Sequence, residues 1–220
     1  MYFKNRAEAG RKLATKLHKK YAAEHCVVLA LSPGAIIIGA QISMKIHANL
    51  ALLLTENIYL PGETEAIAGQ SSAGTFTYNN MFSTGQLEEL VSEYHGFLDE
   101  QRMQKNHYMN VVLGHGGEIK KELLRHRVVI LVADGLANGF SLEVAAEFLK
   151  TVAIKRLVIA TPTASVTAID KMHLIGDELV CLSVPANYFG VDHYYEENTI
   201  PDIEGVQTII RNITMSWSLK

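Results

Sequence analysis

Five aliphatic residues in a row, Val128-Val129-Ile130-Leu131-Val132, run into Ala133-Asp134-Gly135 and, past a second glycine at 139, into Ser141 and a helical apolar pattern. A run this short and this apolar fits a strand covered on both faces, and such strands belong to parallel sheets joined by helical crossovers. The same unit recurs downstream: a helix from Ser141 to about Lys150, a strand Leu157–Ala160, a helix Ala164–Met172 and a strand Leu179–Val184. It also recurs upstream, where Cys26–Leu31 meets the breaker Ser32-Pro33-Gly34, a helix to about His47 and a second apolar run at Leu50–Leu54. Strands alternating with helices at this spacing imply right-handed crossovers. The expected fold class is α/β, a mainly parallel, Rossmann-like sheet flanked by helices.

The remaining segments decorate that sheet. From Asn5, a plausible N-cap, to Glu24 the pattern is helical, with Leu13, Ala14, Leu17 and Tyr21 on one stripe. Arg11, Lys12, Lys16, Lys19 and Lys20 fall largely off it and read as a solvated face. Small and β-prone residues over Ala66–Asn79, broken at Ser71-Ser72-Ala73-Gly74, predict a hairpin, and Leu87, Leu90, Val91, Tyr94 and Leu98 predict one helix after it. Residues of about 60–110 are therefore an insertion with a hairpin and a helix. Those of about 185–220, with Tyr194, Tyr195 and the acids Glu196, Glu197, Asp202 and Glu204, form a surface-wrapping tail and small hood with a last helix before Trp217. At 220 residues, a single domain over 1–220 is expected.

Composition narrows the partners. A net charge of −3 gives no reason to expect nucleic acid or an anionic membrane surface. The apolar runs are of strand length and the opening MYFKNRAEAGRK has no apolar leader, so a soluble, cytoplasmic chain is expected, with no membrane partner. Cys26 and Cys181 each border an apolar run and read as small buried hydrophobes; a disulfide is possible on count alone. The nine histidines form neither HExxH nor a pair with CxxC, so no metal ligand is assigned; His115-Gly116-Gly117-Glu118 is the nearest thing to a motif.

Chemistry in a parallel sheet gathers beyond the carboxyl ends of its strands. That brings together Ser32–Ala35, Ala133–Ser141 and the turn after Ala160. The candidate binding residues are Asp134, Gly135, Ala137, Asn138, Gly139, Phe140 and Ser141, with Ser32, Gly34 and Ala35 from the first loop. A carboxylate at a strand end, two glycines and a capping serine suit a phosphate cradle at a helix N-terminus. An ordinary βα loop has the same appearance.

The stretch resembles the phosphoribosyltransferase signature, in which four apolar strand residues precede two adjacent acids and a Gly-Thr-rich loop. The similarity is nearest to a bacterial group described as predicted phosphoribosyltransferases. It extends to Phe3-Lys4-Asn5-Arg6-Ala7-Glu8-Ala9-Gly10-Arg11, to Pro61-Gly62 with Ala66-Ile67-Ala68-Gly69, and to Asp177–Leu182 with Tyr188-Phe189-Gly190-Val191. The resemblance implies the type I phosphoribosyltransferase fold, phosphoribosyl pyrophosphate (PRPP) as ligand and Mg2+ on its pyrophosphate if the chain is active. It further implies an acid on the ribose hydroxyls, loop amides on the 5′-phosphate, and Tyr188 or Phe189 against a base or packing the tail.

Several positions depart from that pattern. Ala133 and Asp134 stand where the family has two acids, and Asn138-Gly139-Phe140-Ser141 replaces the usual Thr-Gly-small-Thr. Phe140 is expected to put a ring in the phosphate's approach. Ser32-Pro33-Gly34-Ala35 replaces Pro-Arg-Gly-Gly, exchanging a cation for a residue without an amide hydrogen, and Glu56-Asn57 replaces a basic pair. Two lost contacts to charged groups, at about 1.5–3 kcal/mol each, amount to roughly 10²–10⁴-fold in rate. Two readings follow: a magnesium-dependent phosphoribosyltransferase, or a degraded relative that binds a nucleotide or sugar phosphate as a sensor or partner-binding subunit. A homodimer through Asn5–Glu24 and Leu87–Arg102 is possible.

Overall fold

The computed structural model describes residues 2–114 and 119–217, with side chains through 213, so the His115–Glu118 motif lies outside the described residues. Asn5 caps α1 (Arg6–Tyr21) by accepting the Glu8 amide, and Leu13, Ala14, Leu17 and Tyr21 are its buried stripe. Of the cations, Arg11, Lys16, Lys19 and Lys20 are exposed and Lys12 is half-buried.

β1 (Cys26–Ala30) is buried along its whole length and turns at Ser32 into α2 (Pro33–Ile46). Pro33 falls in the first turn, where its missing N–H costs no helical bond. His47 ends the helix in the left-handed region, at φ 58°, and β2 (Asn49–Leu52) returns parallel to β1.

The insertion differs from expectation twice. The hairpin of β4 (Ala66–Ser71) and β5 (Phe76–Tyr78) gains an antiparallel neighbour, β3 (Thr55–Tyr59), giving a separate sheet in the order β3-β4-β5. Within β3 only Ile58 is buried, so no apolar period marks it. The single helix predicted over Leu87–Leu98 is two, α3 (Thr84–Glu93) and α4 (His95–Leu113), broken at Tyr94 (φ −105°, ψ 20°). Leu87, Leu90, Val91, Tyr94 and Phe97 pack against one cluster around Ile58 and Ile67, so the apolar period continues through the break and hides it.

β6 (Val128–Val132), α5 (Phe140–Leu149), β7 (Arg156–Thr163), α6 (Val166–Ile175), β8 (Glu178–Ser183) and α7 (Ile203–Trp217) complete the chain. The main sheet has five strands, all parallel, in the order β2-β1-β6-β7-β8. It is the mainly parallel, helix-flanked sheet expected. The pleat sends Val128, Ile130 and Val132 into the core shared with α1, α2 and α7, and Val129, Leu131 and Ala133 into the core shared with α5 and α6. Among the described residues no helix is long and apolar enough to cross a membrane. Cys26 is buried and Cys181 half-buried, both as free thiols.

The segment before α1 meets the segment between β8 and α7. Phe3 pairs in parallel with Tyr195; its amide donates to the Tyr194 carbonyl at 2.9 Å, and the Glu196 amide donates to the Phe3 carbonyl at 3.0 Å.

Candidate functional site

Because β1 and β6 are neighbours, their carboxyl ends deliver Ser32 and Asp134 side by side. The Ser32 hydroxyl donates to Asp134 Oδ1 at 2.9 Å. Arg6, the first residue of α1, donates from Nε to Asp134 Oδ2 at 2.9 Å. Its other two nitrogens reach the tail, Nη2 to Asp192 Oδ1 at 2.9 Å and Nη1 to Asn198 Oδ1 at 3.3 Å. The guanidinium carbon lies 4.5 Å from the centre of the Tyr195 ring, whose hydroxyl donates to the Asp134 backbone carbonyl at 2.5 Å.

Arg6 is only 1% exposed, and a charge that deep persists only when paired and hydrogen-bonded. Burial opposes its ionisation, but Asp134 and Asp192 outweigh burial and hold its pKa above the ordinary value. Burial, with the Asp134 charge second, raises the Tyr195 phenol in turn. Gly34 makes room for this cluster: a Cβ there would meet Asp134 Oδ2 at 2.1 Å and Arg6 Nε at 2.8 Å.

Above it lies a cleft of about 800 Å³, bounded by Ser32–Gly34 and Asp134, by Tyr108 and Val112 of α4, by Ile200 ahead of α7, and by Ile203 and Val206 at its start. Its charged lining is one cation, Arg6, against Asp134, Asp192, Asp202 and Glu204. Asp202 already accepts the Gly205 amide at 2.8 Å. Glu56 carries its own cation, Lys105, at 2.9 Å.

The sequence-predicted residues divide into two groups. Ser32, Gly34 and Asp134 come together on the cleft, while Ala35 is buried behind it with its amide taken by Ser32 Oγ at 3.0 Å. Gly135 packs under Tyr188, whose hydroxyl would lie 2.6 Å from a Cβ at that position and has no partner. The loop from Ala137 onward leaves the cleft. The Ala137 carbonyl accepts from the Ser165 hydroxyl, and Asn138 spans from the Phe140 amide (3.1 Å) to Glu65 (3.2 Å). Gly139 takes φ 71° to start α5, and Ser141 is half-buried in its first turn.

Two expectations about this loop need correction. The Phe140 ring is not in the path of a phosphate: it is fully buried, packed with Ala66 and Val144 between α5 and β4. Ala133 is not a vacancy on the cleft either, since the pleat turns it into the core beside Leu131 and Ala145. Phe189 is 70% exposed, whereas the Tyr188 ring packs on Tyr194 with centroids 5.2 Å apart.

Among the described residues no group of three His, Cys, Asp or Glu could hold a metal ion, and both Asp134 oxygens already have donors. The described side chains therefore assemble no three-ligand metal site.

Arg6, Asp192, Asn198 and Tyr195 were not identified from the sequence as site residues. Arg6 stood inside the quoted opening motif, but one arginine on a helix rich in surface cations carries no burial signal. The tail residues have no periodicity to read.

A crevice at the carboxyl edge of a parallel sheet, with a carboxylate and a helix N-terminus at its rim, is where α/β domains ordinarily carry their ligand sites. The phosphoribosyl transferase domain model matches residues 2–197, and this chain belongs to that family. A protein of Mycobacterium tuberculosis described as a candidate phosphoribosyl transferase is 24% identical over 202 residues, covering 90% of this chain and 44% of that protein. A same-named protein of another strain of that organism matches equally. The chain thus spans less than half the length of these curated relatives. The crystal structure of a Thermus thermophilus protein superposes with a TM-score of 0.69 at 24% identity, covering 96% of this chain and 99% of that one, a likeness of fold.

Proposed function

We propose that this chain binds the phosphoribosyl group of PRPP or of a related nucleotide or sugar phosphate, and that binding rather than transfer is its principal act. The observation that carries this reading is the pairing of Ser32 and Asp134 at adjacent strand ends on the cleft. Asp134 would accept the ribose hydroxyls. The 5′-phosphate would lie outside the cleft, toward the loop that leads from Asp134 to the start of α5, where the Phe140 amide is already given to Asn138.

The position before Asp134 favours binding over turnover. Transfer develops positive charge on the sugar ring, which fixed carboxylates stabilise. Of the two adjacent positions at this strand end, only Asp134 offers a carboxylate to the cleft, and Ala133 faces the core. Magnesium, in this reading, arrives on the donor's pyrophosphate rather than in a side-chain cage.

Calorimetric titration with PRPP, ribose 5-phosphate and nucleoside monophosphates, with and without magnesium, tests the reading. Binding without pyrophosphate release across a panel of bases is the expected result. Release with any base makes the chain a transferase, and no binding to any of these ligands removes the reading.

A further inference from the structure

We infer that Arg6 is the positioning residue of the cleft, setting the plane of the Asp134 carboxylate and the location of the tail wall beside it, and so selecting ligands with a vicinal diol. The selection rests on the pentose reading above; the setting of the wall does not.

The argument starts from the donors on Asp134. Arg6 Nε occupies one site on Oδ2 and Ser32 Oγ one site on Oδ1, both at 2.9 Å. A carboxylate offers about four lone-pair sites, so each oxygen keeps one free, in a plane that two donors have fixed. The side chain retains 13% exposure, so it is not sealed from the cleft. Two free acceptor sites side by side match the two adjacent hydroxyls of a ribose. A carboxylate free to rotate would accept single hydroxyls with little preference.

The same guanidinium holds the wall. Asp192 and Asn198 bind its other nitrogens, and both lie in the segment that runs on to Ile200 and Asp202 on the cleft. A lysine cannot reproduce this, because one ammonium point charge does not span three acceptors in a planar fork. Arg6 also packs against the first loop. Its Nε lies 2.8 Å from where a Gly34 side chain would begin, in the loop where Pro33 supplies no charge.

A merely structural ion pair predicts that its loss weakens every ligand alike. Positioning predicts loss of discrimination. The test uses the full chain, with Arg6→Lys titrated against ribose 5-phosphate and 2-deoxyribose 5-phosphate, and amide hydrogen exchange measured over 192–200 without ligand. The wild type should prefer the ribose. Arg6→Lys should lose about tenfold of that preference, the size of one hydrogen bond to a charged group, and its tail amides should exchange about tenfold faster. Equal weakening of both sugars, or unchanged exchange, overturns the inference.

Should Arg6→Lys not fold, the double variant Asp192→Ala, Asn198→Ala decides. It should speed tail exchange by about tenfold and weaken ribose 5-phosphate, since each change removes one charge-assisted bond from the wall. Unchanged exchange overturns the inference. A wild type that binds neither sugar ends the pentose reading and the diol selection with it, while the exchange arm still judges whether Arg6 sets the wall.

Discussion

Gly34 and Asp134 share a space that holds only one side chain: a Cβ on the glycine would stand 2.1 Å from Oδ2 of the aspartate. The glycine is helical, so the constraint is contact rather than backbone conformation. Gly34→Ala should push the carboxylate off Arg6 and Ser32. Overpacking of this kind costs about 1–3 kcal/mol, which chemical denaturation would measure, and pentose phosphate affinity should fall with it. Full stability together with full affinity would show that the carboxylate has another resting place.

Phe140 should matter to stability and not to the cleft. Its ring is fully buried against Ala66 and Val144, and Gly69 leaves it room, a Cβ there coming within 3.0 Å of the ring. Phe140→Ala should cost about 3–5 kcal/mol in denaturant titration. Ligand affinity of the folded fraction should stay within a few-fold, unlike the rise expected had the ring blocked a phosphate.

Restoring the absent acid should fail. Ala133 is 5% exposed within an apolar cluster, so Ala133→Asp would bury a carboxylate without a partner. The cost at neutral pH should exceed about 3 kcal/mol. A buried acid has its folded pKa raised, so the deficit should be small below about pH 3.9 and grow as pH rises. Thermal melts across pH would read this; a variant as stable at pH 7 as at pH 4 would mean the side chain reaches water.

How far the sequence carried these conclusions depended on which force shaped each element. β1 and β6 were legible because every residue is buried, which leaves uninterrupted apolar runs. Asp134 was legible because a carboxylate ending such a run is costly unless used. β3 was hidden because four of its five residues stay partly or fully exposed, and the Tyr94 break because one apolar cluster serves both helices. Arg6 was hidden for a different reason. Its burial is set by Asp134, Asp192 and Asn198, partners at least 128 positions away, and no local pattern encodes a contact that distant.

Acid should loosen the join between α1 and β8. The Tyr21 hydroxyl donates to Glu178 Oε2 at 2.7 Å, and Lys20 pairs with the same oxygen. Partial burial raises the Glu178 pKa, but those two bonds outweigh it and hold it below the usual carboxylate value. A depressed folded pKa stabilises the fold above the unfolded value of about 4.3 and is lost as pH falls through the folded value. Tyr21→Phe should therefore cost about 1–2 kcal/mol at pH 7, toward the low end because Glu178 is partly solvated, and progressively less below pH of about 4. Melts of both proteins from neutral to acid pH would show the curves converge; a constant gap would mean the hydroxyl bond is indifferent to the charge.

The pairing of Phe3 with Tyr195 makes the cleft depend on residues synthesised after the last strand of the main sheet. The sheet can close once β8 has left the ribosome, but Arg6 gains two of its partners only when Asp192 and Asn198 follow. Contacts between residues so far apart in sequence form late because ordering the intervening chain comes first. A nascent or truncated chain ending before residue 192 should carry an assembled sheet and an Arg6 guanidinium left with Asp134 alone of its three side-chain acceptors. Competence for ligand would then arrive as a late step of maturation, separate from acquisition of the fold.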